Sequence, residues 1–152
     1  MEMRVGDLMR PHPVAVQPGD TIRHAFRQLC ALRSRHLLVM EGDRLVGIVT
    51  DRDIRLALPS LPFVSDIAEM YLKLDDVKVR DVMTRHVFTV APDTSLRAAV
   101  DLFLHRMISG LPVVAGGRVV GILTETDALR ALSCLLGSPE AAPQQACPGQ
   151  GS

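Results

Sequence analysis

Apolar residues recur along this chain in a set order of spacings, and the whole order occurs twice. Short apolar runs, Val14–Val16 and Phe88–Val90, read as strands, each closed by a proline, Pro18 or Pro92. Apolar residues at spacings of three and four follow: Ile22, Phe26, Leu29 and Leu32 first, then Leu96, Val100, Phe103 and Met107. Such spacings lay one stripe along a helix. Asp20 and Thr94 stand where the helix N-caps belong, because a short oxygen-bearing side chain accepts from an otherwise unpaired amide. Leu37–Met40 and Leu111–Val114 predict strands. Glu41-Gly42-Asp43 and Ala115-Gly116-Gly117 turn them back into Leu45–Val49 and Val119–Leu123. The returning strands lack polar alternation, which predicts burial on both faces. A last helix begins at Thr50 and at Thr124. The order is β-α-β-β-α, twice, a mixed α/β (α+β) class.

This recurrence is a duplication. Residues 5–58 align with 79–132 at a constant offset of 74, without a gap, and nineteen of the 54 pairs are identical. Unrelated chains would give about three. Matching pairs include Val5/Val79, Asp7/Asp81, Met9/Met83, His12/His86, Gly42/Gly116, Gly47/Gly121, Thr50/Thr124 and Asp53/Asp127. One copy is too short to bury much core alone, so the two are expected to pack as one module. The chain divides into a first motif at 1–58, a joining segment at 59–78, a second motif at 79–136 and a tail at 137–152. In the joining segment Pro59 and Pro62 end the preceding helix. Ser65 is a candidate cap for a short helix with Ile67, Met70, Tyr71 and Leu74 on one face. The tail has no apolar period and is expected to be disordered.

Composition then removes several classes of function. The 17 basic residues balance 17 acidic ones, and aromatic residues make up only 3%. A nucleic-acid binder draws on a basic excess and stacking platforms, so no nucleic-acid partner is expected. No apolar run approaches the roughly 18 residues of a membrane span, and MEMRVGDLM lacks the apolar centre of a secretory signal. No membrane partner is expected. Cys30, Cys134 and Cys147 form no C-x-x-C pair, which favours a reducing, cytoplasmic setting. The five histidines lack zinc spacing, and no nucleophile elbow, phosphate loop or Cys-His arrangement occurs. Neither a metal site nor catalysis is expected.

One motif carries chemistry. Gly47-Ile48-Val49-Thr50-Asp51-Arg52-Asp53 and Gly121-Ile122-Leu123-Thr124-Glu125-Thr126-Asp127 end the two buried strands. Thr-x-x-Asp is close to a capping box, in which each side chain satisfies an amide of the first helical turn. The same geometry suits a ligand. Helix amides favour phosphate, and a carboxylate accepts two hydroxyls side by side, as the 2′ and 3′ positions of a ribose present them. Gly47 and Gly121 leave room for a close approach.

Taken together, these features resemble the CBS-domain family, named from cystathionine β-synthase. The resemblance covers residues 3–136. It rests on Val-x-Asp-x-Met before each first strand, Leu-Pro-Val-Val at 111–114, and Gly-h-h-Thr-x-x-Asp (h, apolar) in both copies. Leu37-Leu38-Val39-Met40 departs from the Leu-Pro-Val-Val pattern. The resemblance implies a pseudo-two-fold pair of motifs with two clefts. One cleft would hold Ile48, Thr50 and Asp53 with Met83, His86, Phe88, Ile108 and Ser109. The other would hold Ile122, Thr124 and Asp127 with Met9, His12, Val14, Ser34 and Arg35. Arg35 would neutralise phosphate near Asp127, while Glu125 would oppose a polyphosphate there. Implied as ligand is AMP, ADP, ATP or S-adenosylmethionine, acting as a regulator, with no cofactor required. A homodimer is expected, and an unidentified regulated protein as partner. Two functions stay open: a ligand sensor, or a dimerisation module whose clefts are vestigial.

Overall fold

The structure, a computed structural model, describes residues 2–57 and 74–137. The first copy contributes α1 (Val5–Leu8), β1 (Arg10–Pro11), β2 (Ala15–Val16), α2 (Ile22–Leu32), β3 (His36–Glu41), β4 (Arg44–Thr50) and α3 (Asp51–Ala57). The second contributes α4 (Val79–Val82), α5 (Leu96–Arg106), β5 (Gly110–Ala115), β6 (Arg118–Thr124) and α6 (Glu125–Leu135). Equivalent elements sit at the offset of 74. Gly42 and Gly116 make the hairpin turns at φ of 62° and 58°, a region that glycine enters without Cβ strain.

Local chemistry moved several predicted features. The predicted strand at Phe88–Val90 contracts to Val90, which bridges Val113 in parallel; in the first copy the strand is Ala15–Val16. Helix caps fall one residue later than expected, at Thr21 and Ser95, whose hydroxyls accept from His24 N and Ala98 N. Asp20 and Thr94 instead close the preceding turns, accepting from Gln17 N at 2.7 Å and Ala91 N at 3.1 Å. The helices bury Ile22, Ala25 and Leu29, and Ala99 and Phe103, so small alanines let each helix approach its sheet. Phe26 and Leu32 are exposed, and Met107, just beyond α5 in a left-handed C-cap, is fully so. Both returning strands bury only their C-terminal halves. Ser65, Ile67, Met70, Tyr71 and most of the tail lie outside the described residues. Leu74, which is described, packs into the first core.

Two three-stranded sheets form, in the orders β2-β3-β4 and β1-β6-β5. The second sheet therefore takes its outer strand from the first copy. Arg10 pairs with Ile122 and Pro11 with Gly121, both antiparallel. The exchange is mirrored, because Thr84 of the second copy bridges Ile48 of β4 with two backbone hydrogen bonds. The first helices cross with them. Val5 belongs to the core under β5 and β6, and Val79 and Met83 belong to the core under β3 and β4. Leu38, Ile48 and Ile122 form a third cluster between the sheets. Packing units and sequence copies thus differ by one N-terminal segment each.

Glycine makes this crossing possible. A Cβ on Gly121 would lie 2.8 Å from both the Arg10 carbonyl oxygen and Met9 Sδ. A Cβ on Gly47 would meet Met83 Sδ at 2.8 Å and the Thr84 carbonyl oxygen at 2.9 Å. The room left by these glycines is filled by the crossing strand, not reserved for a ligand as expected. At the centre, Gly110 admits the ring of His36, whose Nε2 shares a 2.7 Å hydrogen bond with Ser109 Oγ. Burial lowers the His36 pKa below its ordinary value, and Arg10 and Arg35 push the same way. Asp51 and Asp127 pull it back only in part.

Two outcomes follow for stability. Gly121→Ala forces a methyl into backbone and is expected to destabilise by about 1–3 kcal/mol. Gly19, with nothing within 4 Å of its Cβ position, is the control. Equal urea midpoints for the two alanine variants would remove the steric basis of the crossing. His36 is held neutral in the fold, so its contribution is complete above the unfolded pKa of 6.5 and is lost as pH falls below it. His36→Gln should therefore flatten the decline of stability between about pH 7.5 and 5.5. Parallel pH profiles for the two proteins would contradict that assignment.

Candidate functional site

The first cleft opens where β4 runs into α3. Thr50 and Asp53 are locked together there: Thr50 N and Thr50 Oγ1 both donate to Asp53 Oδ2, at 2.8 and 3.0 Å. Asp53 N returns to Thr50 Oγ1 at 3.2 Å, the reciprocal cap that the sequence predicts. This leaves Oδ1 of Asp53 with no donor among the described residues, and Asp53 lines a cavity of about 750 Å³. Ligand sites commonly fall between about 300 and 1,000 Å³.

Five of the eight predicted residues line that cavity: Ile48, Thr50, Asp53, Ile108 and Ser109. Three do not. Met83 is buried under Gly47 as part of the crossing segment. His86 is exposed and lines no described cavity wall, and Phe88 lies under the Arg106 guanidinium, 5.1 Å from its ring centroid. Arg35, expected beside Asp127, lines the first cleft instead, with Arg52, Asp51 and Glu125. The reason is local: Asp51 N donates to the Arg35 carbonyl at 3.1 Å, tying the residue before β3 to the start of α3. Asp51 is itself paired with Arg55 at 2.7 Å.

The second cleft repeats the capping geometry but not the opening. Thr124 N and Oγ1 donate to Asp127 Oδ2 at 2.9 and 2.8 Å, and both residues are buried. Here Oδ1 is engaged, with Arg10 Nε at 3.5 Å and Arg130 Nη1 at 3.9 Å. Arg10 Nη2 also donates to Thr124 Oγ1 at 3.3 Å. The cavity beside them is about 190 Å³ and takes in His12, Val14, Ser34 and Ile122, as expected. Thr124, Asp127 and Met9 do not line it; Met9 is taken up under Gly121, and Arg10 stands across the other two. The Ser34 hydroxyl is bound within its own turn, donating to the His36 carbonyl at 3.0 Å. His36 lines both cavities.

Arg10, Thr84 and His36 escaped the reading of the sequence. Comparison of the copies held a signal for the first two, since an arginine matched by a threonine beside the paired Met9 and Met83 marks a charge present in one copy only. For His36 the mark was its match to Gly110, a large residue facing none.

The CBS domain model matches residues 5–60 and again 79–134. A CBS domain-containing protein of Dictyostelium discoideum is 33% identical over 132 residues, 85% of this chain and 90% of that protein. The chain spans only 13% of the A-adding tRNA nucleotidyltransferase of Geobacter sulfurreducens, to which it is 30% identical over 124 residues. Among solved structures, the CBS-pair protein CBSX2 of Arabidopsis thaliana superposes with a TM-score of 0.74 at 30% identity, over 91% of this chain and all of that one. CBSX2 has also been crystallised with AMP (TM-score 0.70, 31% identity, 88% of this chain and 98% of that one). A CBS domain pair from protein MJ0100, in complex with 5′-methylthioadenosine and S-adenosyl-L-methionine, gives 0.76 at 27% identity, covering 89% and 99%. With two family matches at the repeat, the crossed pair of sheets and these neighbours, the chain belongs to the CBS domain family.

Proposed function

We propose that this chain is a regulatory module that binds an adenosyl ligand, AMP, ADP, ATP or S-adenosylmethionine, and performs no chemistry on it. The observation that carries the proposal is the state of Asp53. Its Oδ2 is fixed by two donors from Thr50, its Oδ1 has no donor among the described residues, and the residue lines a cavity large enough for a nucleoside. A carboxylate so oriented accepts paired ribose hydroxyls. Ile48 and Ile108 offer apolar surface for a purine, and Arg35 and Arg52 in the same lining offer charge for a phosphate or carboxylate. The cavity draws on both copies, so a bound ligand bridges them. Its occupancy then biases their relative placement by its differential affinity for the arrangements, which is how a regulatory signal would arise. A setting in the cytoplasm belongs to the same proposal.

The alternative role, a dimerisation module, has an observation of its own. Leu129, Leu132 and Leu136 are exposed at spacings of three and four at the C-terminal end of the chain's described part. Leu104 and Met107 are exposed on α5 and just beyond it. Exposed apolar side chains on these two helices are candidate interface surface, and a second copy of the chain is the proposed occupant by two-fold symmetry. Dimerisation and ligand binding are compatible, and we propose both.

Asp53→Ala should weaken AMP binding by about ten- to a hundredfold, the loss of a hydrogen-bonded charged partner worth about 1.5–3 kcal/mol. Its folding stability should fall only by what the cap contributes, about 1 kcal/mol. Unchanged affinity by calorimetry would refute the ribose assignment. Light scattering is expected to return twice the chain mass of 16.6 kDa, and Leu132→Asp to halve it. A wild-type mass near 16.6 kDa at micromolar concentration would exclude the dimer.

A further inference from the structure

We propose that Arg10 closes the second cleft from within, so that the chain takes one adenosyl ligand at Asp53 rather than two. The inference rests on the reading of Asp53 as a ribose acceptor. In the second cleft the equivalent oxygen, Oδ1 of Asp127, already has a cationic partner in Arg10 Nε at 3.5 Å. Arg10 Nη2 takes the Thr124 hydroxyl as well, at 3.3 Å. Both groups that a ribose would address are thus satisfied by the chain itself. Both are also covered, with Thr124 3% and Asp127 7% exposed. The space that remains, about 190 Å³, falls below the usual size of a ligand site, whereas the first cleft has about 750 Å³.

Comparison across the repeat isolates the cause. The residue at the position of Arg10 in the other copy is Thr84, which lines the first cleft and reaches Asp53 with no hydrogen bond or ion pair among the described residues. Arg130, the second cation near Asp127, is matched by Leu56. Two cations therefore flank one carboxylate, and a hydroxyl and an isobutyl group flank the other. Backbone pairing with Ile122 pins the Arg10 main chain, so any opening must come from its side chain. That side chain is 47% exposed and has solvent to move into. Nothing in this geometry requires Arg10 for the fold, because Thr84 makes the same backbone pairing without it.

The test is calorimetric titration of the full chain with AMP, and separately with S-adenosylmethionine, across a small set of variants. Wild type should bind one molecule per chain, and Asp53→Ala should weaken that binding by about ten- to a hundredfold. Arg10→Thr installs the residue that the other copy tolerates, and should bind two molecules per chain, the second within about tenfold of the first in affinity. The double variant Arg10→Thr with Asp53→Ala should keep one unweakened site beside the weakened one. The reciprocal Thr84→Arg should lower the affinity of the first cleft by at least about tenfold. Two molecules bound by wild type, unchanged in Arg10→Thr, would overturn the closure while leaving the adenosyl reading intact. Weaker binding in Arg10→Thr than in wild type would overturn it differently, making Arg10 a ligand contact. Silence from every chain with both probes would end the adenosyl reading and the closure with it.

Discussion

The structure depends on one close approach made twice: a strand from each copy lying against a glycine in the other. Met9 and Arg10 cover Gly121, and Met83 and Thr84 cover Gly47, at distances that leave no room for a methyl group. From this contact follow the order of the β1-β6-β5 sheet, the exchange of the first helices between cores, and the position of Arg10 at the mouth of the second cleft. A short copy with so little core of its own gains, through the exchange, a core residue or two from the other copy, Val5 in one core and Val79 and Met83 in the other. The shared cluster of Leu38, Ile48 and Ile122 adds to the same joint.

The clefts are by-products of that joint. Each forms where the end of one hairpin meets the entry to the other, which is why His36, at the first residue of β3, lines both. Desolvation lowers the pKa of its imidazole and so favours the neutral form, and Ser109 shares a hydrogen bond with its Nε2. An uncharged bridge there holds the copies without adding to the charge of either cleft. Differences between the clefts come instead from single side chains: Arg10 against Thr84, Arg130 against Leu56, Arg52 against Thr126.

Much of this was legible in the sequence, because duplication made each element appear twice and apolar spacing named its type. The strands at 36–41 and 110–115, the hairpin turns and the Thr-x-x-Asp caps lie where the residues predict. Boundaries shifted where two residues competed for one role. Asp20 and Thr21 both suit an N-cap, and the turn at Gln17 claims the first. The helix stripes were misjudged at Phe26 and Met107, since the small Ala25 and Ala99, not the larger residues, face the sheets. In the site, Ile48, Thr50, Asp53, Ile108 and Ser109 line the first cavity and His12, Val14, Ser34 and Ile122 the second, while Met9 and Met83 are taken up by the crossing and Arg10 stands across Thr124 and Asp127. Met83, His86 and Phe88 were placed at the cleft by position alone, yet the crossing consumes the first and leaves the others outside.

The mirrored crossing also bears on what a covalent tandem can do that separate halves cannot. Each copy carries a hairpin with a glycine groove and a strand to fill the groove of another, so two unlinked copies would meet the same requirements by pairing with each other. Joining them in one chain replaces that encounter with an internal one, at an effective concentration set by the connecting segment. It also breaks an obligation. In a pair of identical halves every substitution appears on both sides of the axis, so an arginine against one carboxylate would bring an arginine against the other. Only in the fused chain can position 10 be arginine while position 84 stays threonine, and two sites born alike be assigned different work.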